Sequence, residues 1–69
     1  MPEHPQLGNA LRQLRGEAGL TQAQLAEATG VSRKTINTVE NGVFVPSSIL
    51  ALRLAQALRV PVERVFWLK

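Results

Sequence analysis

Arg33, Lys34, Asn37 and Thr38 crowd into one short stretch, "SRKTINTVENG". On a helix these four side chains share one side, while Ile36 and Val39 fall on the other. All four can hydrogen-bond, and no acid stands among them. Such a face suits recognition of a polar, electron-rich partner rather than bond-making chemistry. Ser32 is a helix-starting residue, so Arg33 and Lys34 occupy the first turn. That turn is the positive end of the helix dipole, where a cation costs roughly 0.3–1 kcal/mol. Two cations there call for an anionic counterpart outside the helix.

Other chemistries find little support. The chain has no cysteine and one histidine, His4, set between prolines near the N-terminus. Its five acids, Glu3, Glu17, Glu27, Glu40 and Glu63, are scattered and include no Asp. No metal cluster follows from that spacing, and Ser47 and Ser48 have no histidine near them in sequence to activate a hydroxyl. The expectation is therefore no enzyme, no metal, no cofactor and no small-molecule ligand. No apolar run approaches the ~20 residues of a membrane span, and "MPEHPQLGNA" lacks the pattern of a signal peptide. The chain reads as soluble and cytoplasmic, with no membrane partner.

At 69 residues the chain is expected to be one domain, with a core from about residue 6 to 66 and a tail at 67–69. The hydrophobic content of 45% must supply its stability, and aromatics are limited to Phe44, Phe66 and Trp67. Helical periodicity between breaks at Pro5, Gly19, Gly30, Gly42, Pro46 and Pro61 predicts an all-α domain of five helices. The first is predicted from about Gln6 to Ala18, on a stripe of Leu7, Ala10, Leu11, Leu14 and Ala18. The second opens with Thr21 and Gln24 as a capping box and ends near Thr29, where Gly30 turns the chain. The third is capped by Ser32 and stops at Asn41-Gly42. The fourth follows Pro46, capped by Ser47, and buries Leu50, Leu54, Ala57 and Leu58. The last runs from Pro61 to about Phe66.

The second and third helices are separated by only Thr29, Gly30 and Val31. Two short helices joined this tightly, with Ala26 allowing close approach, describe a helix-turn-helix, whose second helix enters the DNA major groove. Arg and Lys suit guanine edges there, and Asn suits adenine. The formal charge of +3 agrees with an anionic partner. Double-stranded DNA is thus the expected partner, read by Arg33, Lys34, Asn37 and Thr38.

The segments "LRQLRGEAGLTQAQLAEATGVSRKTINTVENG" and "PSSILALRLAQALRVPVERVF" resemble the Cro/CI-type (Xre) family of bacterial and phage repressors. The compact length and the "FWL" ending are similar to the short stand-alone branch that includes cytolysin-type repressors. The resemblance implies a five-helix lambda-repressor-like fold and a homodimer on a near-palindromic operator. It implies that Gln22 and Asn41 meet DNA phosphates; Thr35, at the margin of the polar face, and Arg12, near the corner of the first two helices, are further phosphate candidates from their own positions. It also implies an internal salt bridge between Arg15 and Glu40. Three departures from the family pattern stand out. The loop after the third helix reads Val43, Phe44, Val45 where relatives are basic or polar, leaving its backbone N–H groups as the remaining phosphate contacts. Ser48 and Ile49 invert the usual apolar-then-polar order. Arg59 stands where Gly or Asn is usual, at a cost on the order of 1 kcal/mol if its φ is positive.

The ending "VERVFWLK" holds more apolar side chains than one small core is expected to hide. Val62, Val65, Phe66, Trp67 and Leu68, with Ile49 and Leu52 of the fourth helix, are therefore expected at a homodimer interface. The tail is expected either to pair as a short strand across the dimer or to fold back onto its own domain. The function implied is a sequence-specific transcriptional regulator, a repressor. A rival keeps the same scaffold but gives the apolar C-terminal surface to another protein, as an interaction module or an antitoxin.

Overall fold

The computed structural model describes residues 6–69, so Glu3 and His4 lie outside the described residues. The chain runs β1 (Leu7–Asn9), α1 (Leu11–Glu17), α2 (Gln22–Thr29), α3 (Arg33–Glu40), α4 (Ser48–Leu58), α5 (Val62–Val65) and β2 (Phe66–Leu68). Most helix starts follow local chemistry. Thr21 and Gln24 form a complete capping box on α2, Ser32 accepts from Thr35 N on α3, and Ser47 accepts from Leu50 N on α4. Each side-chain cap satisfies an N–H that has no partner within its helix. Gly30 ends α2 with φ 78°, a conformation that costs glycine nothing.

The first helix is shorter than its periodicity predicts, and the start at Gln6 is corrected to Leu11. Leu7–Asn9 is extended, and Asn9 Oδ1 accepts from Leu11 N at 3.1 Å. An Asx contact of this kind offers the backbone an alternative to helix, which Gly8 just before it does not oppose.

The C-terminus brings a second correction. β2 pairs antiparallel with β1 of the same chain, with Leu7 opposite Leu68, Gly8 opposite Trp67 and Asn9 opposite Phe66. The strand expected to pair across a dimer is thus engaged within its own domain, and α5 stops at Val65 because Phe66 is already extended. Lys69 N continues the ladder by donating to Gln6 O at 2.9 Å. Residues 67–69 are therefore part of the folded unit rather than a tail.

Leu11, Leu25, Ile36, Val39, Leu54 and Val65 are the largest fully buried side chains, drawn from all five helices. Val65 and Phe66 belong to this core, which corrects their expected place at a dimer interface. Val62 is half-buried against it, whereas Ile49, Leu52, Trp67 and Leu68 remain exposed. The inner stripe of α4 is likewise adjusted: Ala55 is buried with Leu50, Leu54 and Leu58, and Ala57 is only half-buried. Arg59 closes α4 in the left-handed region at φ 58°, ψ 41°. No described helix is long and apolar enough to cross a membrane.

Candidate nucleic-acid interface

α2 and α3 meet through Gly30 and Val31, whose N–H groups both donate to Ala26 O, at 2.9 and 3.0 Å. That pair of hydrogen bonds closes α2 and turns the chain straight into Ser32 and α3. Ile36 and Val39 anchor α3 in the core, so its opposite side is presented outward. Arg33, Lys34 and Asn37 are exposed there; Thr35 and Thr38 are half-buried. The two threonine hydroxyls are occupied locally: Thr35 Oγ1 lies 3.0 Å from Ser32 Oγ, and Thr38 Oγ1 donates to Thr35 O at 2.9 Å. The cations of the first turn make no ion pair among the described residues.

The last turn of α3 is tied into a polar network centred on Glu40, whose side chain is fully enclosed. Arg15 Nε donates to Glu40 Oε2 at 2.6 Å, and Arg15 Nη2 to Oε1 at 3.3 Å. Gln22 Nε2 donates to Glu40 Oε1 at 3.1 Å and lies 3.2 Å from Asn37 Oδ1. Arg12 bridges Glu40 Oε1 (3.3 Å, through Nε) and Asn41 Oδ1 (2.9 Å, through Nη2). Asn41 Nδ2 closes the ring by donating to Asn37 Oδ1 at 3.3 Å. Burial alone would push the Glu40 carboxyl up, but the hydrogen bonds from Arg15, Gln22 and Arg12 and the charge of Arg15 together hold it below its ordinary value. An ionised Glu40 is thereby withdrawn from the outer surface, and its charge is met by two guanidinium groups.

Gln22, Asn37, Asn41 and Arg12 are therefore brought together at one end of α3, while Arg33 and Lys34 stand at the other. Periodicity carries no signal for Arg12 and Gln22 converging on Glu40, because the three lie on different helices. Asn9 is a further residue that sequence reasoning missed: its Nδ2 donates to Val39 O at 3.2 Å, fastening the start of α1 to the end of α3. The loop after α3 brings a correction. The N–H groups of Val43 and Phe44 both donate to Thr38 O, at 2.9 and 3.2 Å, and so are not free for phosphate. Their side chains and that of Val45 are exposed.

The helix-turn-helix domain family matches residues 6–68. Over 61 residues the chain is 41% identical to YgzD of Bacillus subtilis, an uncharacterized HTH-type transcriptional regulator, covering 88% of this chain and 92% of that protein. It is 43% identical over 61 residues to the HTH-type transcriptional repressor RghR of the same organism, covering 87% of this chain and 45% of RghR. Among solved structures, the restriction-modification controller protein C.AhdI of Aeromonas hydrophila superposes with a TM-score of 0.75 at 37% identity, over 78% of this chain and 82% of C.AhdI. With its α2–turn–α3 unit, its five-helix frame and these relatives, the chain belongs to the helix-turn-helix transcriptional regulators of the Cro/CI type.

Proposed function

We propose that this protein is a sequence-specific repressor that binds double-stranded DNA as a homodimer, with α3 in the major groove. The observation that carries the reading is the acid-free outer face of α3. The helix's one acid, Glu40, is enclosed between Arg15 and Arg12, so Arg33, Lys34 and Asn37 meet the groove unopposed. Arg33 and Lys34 would read guanine edges and Asn37 an adenine. The Thr38 hydroxyl, which keeps a lone pair for a base donor, and its methyl group complete the reading set. Gln22, Thr35, Asn41 and Arg12 would set the register on phosphates. The role of repressor is the one named for RghR.

For the dimer, Ile49 at 64% exposure, Leu52 at 58% and Leu68 at 84% are the most exposed of the expected interface residues; Trp67 is also exposed and Val62 is half-buried. A two-fold pairing through them would set two copies of α3 about 34 Å apart, one helical turn of DNA. The test is selection of bound duplexes from a random pool by the purified protein. Enrichment of a near-palindrome with half-sites about one turn apart is expected. A pool that stays random after repeated rounds overturns the proposal. An enriched single half-site would remove the dimer and leave the DNA reading in place.

A further inference from the structure

The β1–β2 pairing moves the C-terminus beside the end of the recognition helix, and this places Trp67 in surroundings no local pattern indicates. Trp67 shares one surface depression of about 270 Å³ with Asn9, Glu40, Asn41, Gly42 and Lys69. It shares a second with Ala10, Arg12 and Gln13. The indole thus lines both depressions, the first with Asn41 and Lys69 and the second with Arg12, whose Nη2 itself donates to Asn41 Oδ1. Its five-membered ring lies across Gly8, so closely that a Cβ on residue 8 would stand 2.6 Å from Cε2 and nearer still to Nε1. One face of the ring is thereby held against the backbone, leaving its Nε1–H edge without a hydrogen-bond acceptor among the described residues.

We infer that this corner is an anion site for one phosphate of the DNA backbone, in which Trp67 Nε1 and Lys69 act together with Arg12 and Asn41. The inference rests on the DNA-binding reading above and adds the C-terminal strand to it. The charge is of the right sign. Glu40, the one acidic side chain lining the corner, is enclosed and matched by Arg12 and Arg15, while the Lys69 side chain makes no ion pair among the described residues. Donors are also to spare. The Arg12 guanidinium has five N–H groups, of which one on Nε and one on Nη2 meet Glu40 and Asn41, and its side chain is 62% exposed.

The position is right as well. Recognition helices of this kind put their N-terminal residues to the bases. Eight residues at 1.5 Å each give α3 a length of about 12 Å, close to the width of the major groove. With Arg33 and Lys34 on the bases, the Asn41 end reaches the rim, where the phosphates lie. A phosphate there would accept from an indole N–H on a ring already fixed by Gly8, so little side-chain freedom is lost on binding.

The test uses the full chain and the duplex it selects. Trp67→Phe keeps an aromatic ring on Gly8 and removes the N–H. It is expected to weaken the selected duplex and an unrelated duplex by the same factor, about tenfold, the size of one hydrogen bond to a charged group. Lys69→Gln is expected to reduce the slope of log affinity against log salt by about one. Emission from Trp67, the only tryptophan, is expected to change along the same isotherm as binding. Sedimentation of both variants, without DNA, is expected to match the parent protein.

Wild-type affinity in Trp67→Phe together with an unchanged salt slope in Lys69→Gln overturns the inference while leaving DNA binding intact. So does a Trp67→Phe defect that appears in self-association instead of in DNA affinity at saturating protein. Should Trp67→Phe fail to fold, the Lys69→Gln slope and the emission of the unaltered chain decide alone. A parent protein that binds no duplex at all overturns the underlying reading, and the phosphate site with it.

Discussion

Arg15 Nε meets Glu40 Oε2 at 2.6 Å, joining the last turn of α1 to the last turn of α3. The contact does two things at once. It fastens the recognition helix to the domain, and it removes the one acid of α3 from the surface offered to a polyanion. Arg15 also donates to Leu20 O at 2.9 Å, so one guanidinium steadies the α1–α2 turn and the end of α3 together. Replacing Arg15 by Ala leaves Glu40 enclosed with Arg12 and Gln22 as its remaining donors. A loss of about 2 kcal/mol in unfolding free energy is expected, the scale of hydrogen bonds to a charged group. Urea unfolding of Arg15→Ala beside the parent chain measures it; an unchanged midpoint would mean that Arg12 compensates in full.

Glu40 also sets a pH dependence. Its carboxyl is held below the ordinary value of 4.5 in the folded chain, so the folded state favours the ionised form. The stability this adds is present in full above the unfolded carboxyl range and is lost as pH falls through the lower, folded value. Glu40→Gln lacks the term. The difference in melting temperature between the parent chain and Glu40→Gln is expected to be constant near neutrality and to shrink below about pH 4.5. A difference that grows with acidity would reverse the sign and contradict the network.

Arg33 is the sharpest test of base reading. Arg33→Ala is expected to cost about 1–3 kcal/mol on the selected duplex and to relax preference at a single position of each half-site. Competition binding against duplexes altered one base pair at a time shows whether the loss is local. An equal loss on every sequence would make Arg33 a phosphate contact instead.

Arg59 tests backbone strain away from the proposed interface. Its φ of 58° is the left-handed region, which costs a residue with a Cβ roughly 1–2 kcal/mol. Glycine relieves that strain but frees the unfolded chain, an opposing effect of about 0.4–1 kcal/mol. Arg59→Gly is therefore expected to gain about 0.5–1 kcal/mol, or some 4 °C in melting temperature for a domain of this size. Calorimetry of the two chains decides, and a lower melting temperature in the variant would mean that the arginine side chain holds a contact worth more than the strain.

Gly8 is expected to tolerate no side chain in the parent arrangement. A methyl group there would overlap the Trp67 ring, so Gly8→Ala must displace the indole or separate β1 from β2. A shifted tryptophan emission maximum and a lowered melting temperature are the expected pair of changes. Parent values for both would mean that the ring moves at no cost.

Much of this protein is determined by its sequence alone because the governing interactions are local. Thr21, Ser32 and Ser47 cap the helices they immediately precede, Gly30 supplies the left-handed conformation its turn requires, and Ile36 with Val39 turns the polar side of α3 outward. Each of those relationships spans about one helical turn, so spacing along the chain is enough to see it. The short α1 was hidden because a leucine–alanine stripe reads the same whether its first residues are helical or extended. What settles them is a strand from the other end of the chain, pairing Leu7 with Leu68.

That same pairing decided the fate of the apolar ending. Val65 and Phe66 went into the core, Leu68 stayed out, and Trp67 was carried to the corner beside Asn41. Arg12 and Gln22 reached Glu40 only because α1, α2 and α3 pack against one core. Contacts between residues far apart in the chain are set by packing rather than periodicity. They were therefore decided by the tertiary structure.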